Sequence, residues 1–332
     1  MDVSRDDLLR AVAYAVRAPS VHNTQPWRWL LGPDVVELYA DRDRRLPITD
    51  PDGRDLLLSC GAALHHLVVT LAGHGIGATV HRLPDPDDSS HLATIRTAAH
   101  HGDGIDASLA AMIGRRRTDR RPMSPDPVGP GVLHALAYQA ARKGATLVLM
   151  RDEAQVRRLL GNLAEAADRQ RHEPGYAAEL RQWTHRYHAA RDGIPAASIA
   201  VPSGAGPLRR FPSAQQDRAP RTRYALDAQD GAALTVITTK GDTPVDRLQA
   251  GEAASAVLLA ATRFGLATTP LSQALEVESA RRSLARDVLR VPEVPQLVIR
   301  VGWPVAGAAE LPPTPRRALH DVVMPNLQHR TA

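Results

Sequence analysis

The stretch from Cys60-Gly61-Ala62-Ala63 to Gly75-Ile76-Gly77-Ala78 has a second copy, Ala250-Gly251-Glu252-Ala253 to Gly265-Leu266-Ala267-Thr268, aligned without a gap. Gly61 and Gly251 are offset by 190 positions, as are Gly75 and Gly265. Each copy reads as a helix that begins among small residues, stops at a glycine and feeds a strand. A unit present twice constrains a fold more than any single element, because two like substructures can cover each other's apolar faces. Small residues at the helix start let a second helix, or a cofactor, come close. Chance likeness between two apolar helices is the plainer alternative. Agreement of both glycine pairs and of the intervening length weighs against it.

Around the repeat, apolar spacing predicts an amphipathic helix over 6–17, ended by Pro19, and a hairpin over 27–39 turning at Gly32-Pro33-Asp34. A strongly apolar helix over 54–73 follows, then strands over 78–83 and 91–97. A second series opens near Ala107 with a helix running to a basic cluster, followed by a helix over 132–143, a strand over 145–150 and a helix over 153–171. Residues 191–223 are dense in Pro, Gly, Ala, Ser and Arg without periodicity, which predicts a long loop or lid. A strand over 234–239, a helix over 247–264 and a strand over 296–301 complete the series.

At 332 residues and 43% hydrophobic content the chain can bury one large or two modest cores. No run of about 18 apolar residues crosses a membrane, and the acidic start MDVSRDD lacks the basic and apolar regions of a signal peptide, so a cytoplasmic protein with no membrane partner is expected. Cys60 is the sole cysteine, which excludes an internal disulfide and cysteine-based metal sites. It reads as a small buried hydrophobe. The net charge of +5 is carried almost wholly by arginine and would suit an anionic cofactor. Aromatic content of 4% argues against base-stacking platforms, so no nucleic-acid partner is expected.

Two constellations carry chemistry. Ala18-Pro19-Ser20-Val21-His22-Asn23-Thr24-Gln25-Pro26-Trp27 packs hydroxyl, imidazole and amide groups between two prolines. Such residues serve equally as turn and cap formers or as a cradle for a planar ring that makes several hydrogen bonds. The second is the cluster 115–121, in which Arg116, Thr118 and Arg120 share a face if the segment is extended. Its guanidinium forks suit a phosphate, with a solvated charge run as the alternative. Arg316-Arg317, stiffened by Pro312, Pro313 and Pro315, offers a further basic point.

Pro19-Ser20…Asn23-x-Gln25-Pro26-Trp27 resembles the P-S-x-x-N-x-Q-P-W signature of the nitroreductase family. Arg116-Arg117-Thr118-Asp119-Arg120 resembles that family's R-R-S-x-R phosphate motif, with Thr118 keeping the hydroxyl of the usual Ser. Leu266-Ala267-Thr268-Thr269-Pro270-Leu271-Ser272 is similar to the family's G-L-G-s-x-P-I segment. Val301-Gly302-Trp303-Pro304 with Thr314-Pro315-Arg316-Arg317-Ala318-Leu319 is similar to its closing G-y-P…K-P-R-x-P-L pattern, Thr314 standing where Lys is common. In ordinary members the Arg motif opens the chain, and a homodimer builds each site from both partners. Here the order is inverted, and the arrangement, with Asp50-Pro51-x-Gly53-Arg54, is most similar to the fused Acg-type branch.

The resemblance implies an α+β, nitroreductase-like fold of two fused half-domains, 1–106 and 107–332, forming an intramolecular pseudo-dimer with a lid insertion at 183–223. It implies one FMN, its phosphate and ribityl end held by Arg116, Arg117, Thr118, Arg120 and Arg316. Pro19, Ser20, His22, Asn23 and Gln25 would contact ring or ribityl from half one. Pro270, Leu271, Ser272 and Gln273 would line the ring, with backbone amides near Ser272 and Gln273 facing N5 and no side-chain catalyst. Half one lacks an Arg motif, so no second phosphate site is expected. The implied activity is ping-pong hydride transfer from NAD(P)H through FMN to a nitroaromatic or quinone, in a monomer or homodimer. Holding FMN under the lid with little turnover is the alternative.

Gly73-x-Gly75-x-Gly77 follows a helix and precedes a strand, the reverse of a dinucleotide fingerprint, and reads as a helix stop. His185 and His188 lack the companions of a metal site, so no metal is expected.

Overall fold

Ser4 starts the first helix by accepting a hydrogen bond from the Asp7 amide (3.1 Å) while the Asp7 carboxylate accepts one from the Ser4 amide (3.2 Å), a reciprocal capping box. The computed structural model describes residues 3–98, 102–150, 152–184, 186–187, 189–195, 201–202, 223–224 and 230–325. Helix α1 (Arg5–Ala15) buries Leu8, Ala11, Val12 and Ala15. Strands β1 (Trp27–Leu31) and β2 (Val35–Ala40) form the expected hairpin. Helix α2 (Arg54–Gly73) follows, then β3 (Gly77–Arg82) and β4 (His91–Ala98). The four strands form an antiparallel sheet in the order β1-β2-β4-β3. Gly75 takes φ +76° between α2 and β3, the left-handed turn that stops the helix.

The basic cluster is preceded not by one long helix but by a single turn, α3 (Gly104–Ala107), and a 3-10 turn, Ala110–Met112. Asp103 caps α3 and Gly104 starts it, so the helix has one strong beginning and no sustained apolar face. Then come α4 (Pro130–Arg142), β5 (Thr146–Leu149), α5 (Glu153–His172) and α6 (Tyr176–Thr184). Helix α6 falls where the sequence shows no clear pattern. Most of the expected lid, and His185 and His188, lie outside the described residues; within its span β6 (Val201–Pro202) pairs in parallel with β7 (Arg223–Tyr224). Strand β8 (Ala233–Thr239), helix α7 (Pro244–Arg263), β9 (Ala267–Leu271), α8 (Gln273–Glu276), α9 (Glu278–Ser283), a π-helical turn (Leu284–Leu289), β10 (Val294–Gly302) and α10 (Leu319–Val322) complete the chain.

The second sheet is antiparallel in the order β5-β8-β10-β9, the same order as the first. In both, a helix and then a return strand follow the second strand, and the starts of α2 and α7, their ends, and the starts of β3 and β9 keep the 190-residue offset. Helices α2 and α7 cross at the glycines. A Cβ on Gly61 would lie 2.0 Å from the Leu248 carbonyl oxygen, and one on Gly251 would lie 2.1 Å from that of Leu58. Leu58 and Leu248 are themselves equivalent positions, and each joins the core of the other sheet. Equivalent residues also touch directly, His65 Nδ1 lying 2.9 Å from Ser255 Oγ, 190 positions away. Such reciprocity is what a twofold axis imposes on a symmetric interface. Helix α2 is long and apolar enough to cross a membrane by composition, yet 83% of its most apolar window is buried inside the fold.

Candidate functional site

The loop between α1 and β1 is strained. His22, Asn23 and Gln25 have φ of 47°, 56° and 52°, three of the five non-glycine residues with positive φ among the described residues. Each such residue costs roughly 1–3 kcal/mol unless its surroundings enforce it. Enforcement is visible. Ser20 Oγ accepts from the Gln25 amide at 3.0 Å, and Ser59 Oγ on α2 accepts from the Val21 amide at 3.1 Å. Asn23 Nδ2 donates to the Gly193 carbonyl (2.9 Å) and the Pro315 carbonyl (3.2 Å). Gln25 Nε2 donates to the Arg191 carbonyl (2.8 Å), and its Oε1 accepts from the Arg317 amide (2.8 Å). Cys60, wholly buried as expected, points its thiol at the Pro26 carbonyl.

These bonds gather three remote segments. The C-terminal strap comes in as Arg316 Nη2 donates to the Arg17 and Ala18 carbonyls just past α1 (3.2 and 3.0 Å), where the helix dipole favours a cation. The segment after α6 is held by Asp192, which accepts from Arg186 (2.7 and 2.8 Å) and from Arg44, while both guanidiniums stand over the Trp183 ring at 5.2 and 5.4 Å.

The Arg cluster runs beside β9. Thr118 and Thr268 form a parallel bridge, the Asp119 amide donates to the Thr268 carbonyl at 2.9 Å, and Thr269 Oγ1 donates to the Asp119 carbonyl. Because β9 is an edge strand, Pro270 costs the sheet no hydrogen bond there. Strand β9 carries the chain about 13 Å from Thr268 to Ser272, at ~3.3 Å per residue. There Ser272 Oγ donates to Glu276 Oε1 (2.6 Å), and Gln273 Nε2 donates to Gln170 Oε1 on α5 (3.0 Å).

A sequence model of the nitroreductase family matches residues 113–303. Rv3131 of Mycobacterium tuberculosis H37Rv, provisionally named an NAD(P)H nitroreductase, is 45% identical over 313 residues, covering 93% of this chain and 88% of that protein. The chain belongs to the nitroreductase family. The acg product of the same organism, with the same provisional activity in its name, is 35% identical over 329 residues and 96% of both chains. Among solved structures, the FMN-dependent nitroreductase NfnB from Mycobacterium smegmatis in complex with NADPH overlaps partially, at 15% identity and a TM-score of 0.42, covering 66% of this chain and 99% of that one.

In this nitroreductase-family chain the Arg segment is electrostatically incomplete. Arg116 is 6% exposed, and its Nε and Nη1 have no hydrogen-bond partner among the described residues. Loss of solvent pushes its guanidinium down to about 10, with the Arg117 charge adding to it. Arg316 is pushed down to about 9 by loss of solvent and by the charges of Arg116, Arg17 and Arg117, and its buried Nε is also without a partner among those residues. His66 on α2, wholly buried, is held well below its usual value by burial, by Arg116 and Arg316, and by His65. An uncompensated cation taken out of water costs several kcal/mol. An anion placed among Arg116, Arg117, Arg316 and Arg17 would relieve that cost.

The structure thus brings Arg116, Arg117 and Arg316 together with the loop of Pro19 to Gln25. Arg117 itself faces backbone, donating to the Gly114, Arg116 and Leu311 carbonyls at 2.8, 2.9 and 3.2 Å. Thr118 and Arg120 are half-buried beside β9. Pro270, Leu271, Ser272 and Gln273 stand at the far end of that strand. Buried Asn23 Oδ1 and Gln273 Oε1 are also unpartnered among the described residues. Sequence reading missed Arg17 and His66. His66 follows Ser59 by seven residues, two turns along one face of α2, a spacing that could have joined it to the site.

Proposed function

We propose that the chain holds one flavin mononucleotide between two half-domains, 1–106 and 107–332, fused as an intramolecular pseudo-dimer, and transfers hydride from NAD(P)H to a nitroaromatic or quinone. The observation that carries the reading is the buried Arg116, with Nε and Nη1 unpartnered among the described residues, in the field of Arg316, a donor set that a phosphate would satisfy. The donor set fits the cofactor along its length. Arg116, Thr118, Arg120 and Arg316 would take the phosphate and ribityl end, and the spare acceptors Asn23 Oδ1 and Gln273 Oε1 would take ring or ribityl donors.

When bound, flavin mononucleotide supplies reversible two-electron hydride chemistry. The chain's own work is positional. The strained loop over His22 to Gln25 holds its amides rigid, because its side chains are already tied to residues 191–193 and 315–317. Backbone amides at Ser272 and Gln273 would face the reacting edge of the ring. Reciprocal packing of α2 and α7 keeps the two walls in register. We place this chemistry in the cytoplasm.

A second reading is retention of the flavin with little turnover, under a lid over 183–223. It is favoured by the Arg191 and Gly193 carbonyls, which accept directly from the Gln25 and Asn23 side chains. A visible spectrum of the purified protein followed by anaerobic NADPH separates the two. Rapid bleaching of a yellow protein supports turnover, and a yellow protein that NADPH does not bleach supports retention. A colourless protein that cannot be reconstituted overturns both.

A further inference from the structure

A cavity of about 480 Å³ opens among β3, α2, α7 and the end of α4, apart from the arginine site, and its size is that of a small-molecule pocket. The 190-residue offset of the repeat carries its wall positions Ala78, Val80, Arg82 and Glu252 onto Thr268, Pro270, Ser272 and Ala62. It is therefore the counterpart, through the repeat, of the space beside β9 and the start of α2. Its chemistry is different. Val68, Ala72, Ile76 and Val80 supply an apolar lining, and Arg82, Arg142 and Lys143 supply three cations.

The acceptors in that lining are spent. Glu252 accepts from Arg82 Nε at 2.7 Å through one oxygen and from Nη2 at 2.9 Å through the other. Asp106 Oδ1 accepts from Arg142 Nη1 at 2.9 Å and Oδ2 from Lys143 Nζ at 2.7 Å. Both carboxylates are 3% exposed. Asp103, 2.8 Å from Arg142 Nη2, has a half-exposed side chain, so inside the cavity two carboxylates balance three cations.

Donors remain. Among the described residues Arg82 Nη1 has no partner, and Lys143 Nζ makes one bond with three protons to give. The β3 edge adds more, since β3 ends its sheet. The Leu83 amide donates to the Leu92 carbonyl at 2.9 Å, and hydrogen-bonded pairs alternate along an antiparallel ladder, so Ala78, Val80 and Arg82 turn their amides away from β4. In the second sheet the matching edge is occupied, the Thr268 carbonyl taking the Asp119 amide; no described residue does this for Ala78.

We propose that this cavity binds a small organic carboxylate, its apolar body against Val68, Ile76 and Val80 and its charge on Lys143 and Arg82. A carboxylate only accepts, which answers a lining with spent acceptors and spare donors. An inorganic anion would leave the apolar wall wet, and a neutral molecule would leave the third cation without a buried counter-charge. The inference goes beyond the flavin reading and does not rest on it.

The test is a titration of the full-length protein, carbon-13 labelled at Val and Ile methyl groups, with hexanoate. Saturable shifts are expected at the Ile76 and Val80 methyls, with a Kd of about 1 mM, the scale of so small a ligand. Lys143→Met should weaken binding about tenfold or more, the loss of one charged hydrogen bond. Ala78→Leu, which fills the cavity, should abolish the shifts, and it decides should Lys143→Met misfold. Hexanamide, of the same shape without the charge, should bind at least about tenfold more weakly. No saturable shift at Ile76 or Val80 by about 50 mM hexanoate overturns the proposal. Equal binding of hexanamide, or equal shifts with inorganic phosphate, overturns it too, the first by removing the carboxylate and the second by reducing the site to a patch of positive charge. The methyl shifts are read with and without FMN, so their failure is distinct from failure of the flavin reading.

Discussion

Gly61 and Gly251 meet where α2 crosses α7, so closely that a Cβ on Gly61 would stand 3.0 Å from the Gly251 Cα. No side chain fits, and the obstructing atoms are backbone. Alanine at either position must spread the two central helices, against a gain in helix propensity of at most about 1 kcal/mol. Gly61→Ala and Gly251→Ala should each lower stability by about 1–3 kcal/mol, the range for overpacking. Gly161, in α5, where an added Cβ would meet nothing within 4 Å, is the control and should gain up to about 1 kcal/mol as alanine. Urea unfolding midpoints of the three variants decide it; equal shifts would dissolve the crossing argument.

Arg116 should trade stability against binding. Arg116→Met removes a buried charge with two unpartnered donors while keeping most of the volume. The flavin-free protein should unfold at higher urea, and flavin affinity should fall about 10- to 100-fold, as expected for a charged hydrogen bond of about 1.5–3 kcal/mol. A variant that binds FMN as tightly as the parent would remove Arg116 from the site.

Asp192 ties Arg44 and Arg186 into the stack on Trp183, and the adjacent Gly193 carbonyl is where Asn23 donates. Asp192→Asn should loosen this segment locally. Hydrogen exchange at the Gly193 and Ile194 amides should speed up by about tenfold or more, the loss of one charge-assisted bond, while β8 and β10 amides keep their protection. Uniform acceleration across the protein would show the clamp to be global.

Burial disfavours ionisation of Asp242, but Arg247 and Arg54 prevail and hold its carboxyl down to about 2. Its folded value lies below the ordinary 3.8, so the stability it contributes is present in full above about pH 4 and is lost as pH falls toward 2. Arg54→Gln should therefore flatten the acid limb of a stability–pH curve between those values. An unchanged limb would show that Arg247 alone depresses the carboxyl.

The elements with sustained periodicity were legible in the sequence to within two or three residues: α1, the hairpin, α4, α5 and β8, and α2 to the residue. Helix α6 was not, because its buried face, with Tyr176, Glu179, Leu180 and Trp183, mixes polar and apolar groups that make sense only once Glu179 meets the Ile48 and Thr49 amides. The helix expected to open near Ala107 and run to the Arg cluster was over-read: the fold keeps only the single turn α3 and a 3-10 turn there, because packing decides a helix's length. At the site, residue types were legible and orientations were not. Asn23 and Gln25 were expected to face a ligand, and the fold commits their amide nitrogens to the carbonyls of Gly193, Pro315 and Arg191.

By itself, the sequence determined the doubled helix-and-strand unit, through two glycine pairs at one offset. Local spacing and residue chemistry are enough for that, since neither depends on a distant partner. Only the tertiary structure decided that Arg116 and Arg316, 200 positions apart, share one uncompensated field and that His66 lies within it. Burial and charge coupling between remote residues arise from the packed three-dimensional arrangement, and no periodicity along the chain encodes them.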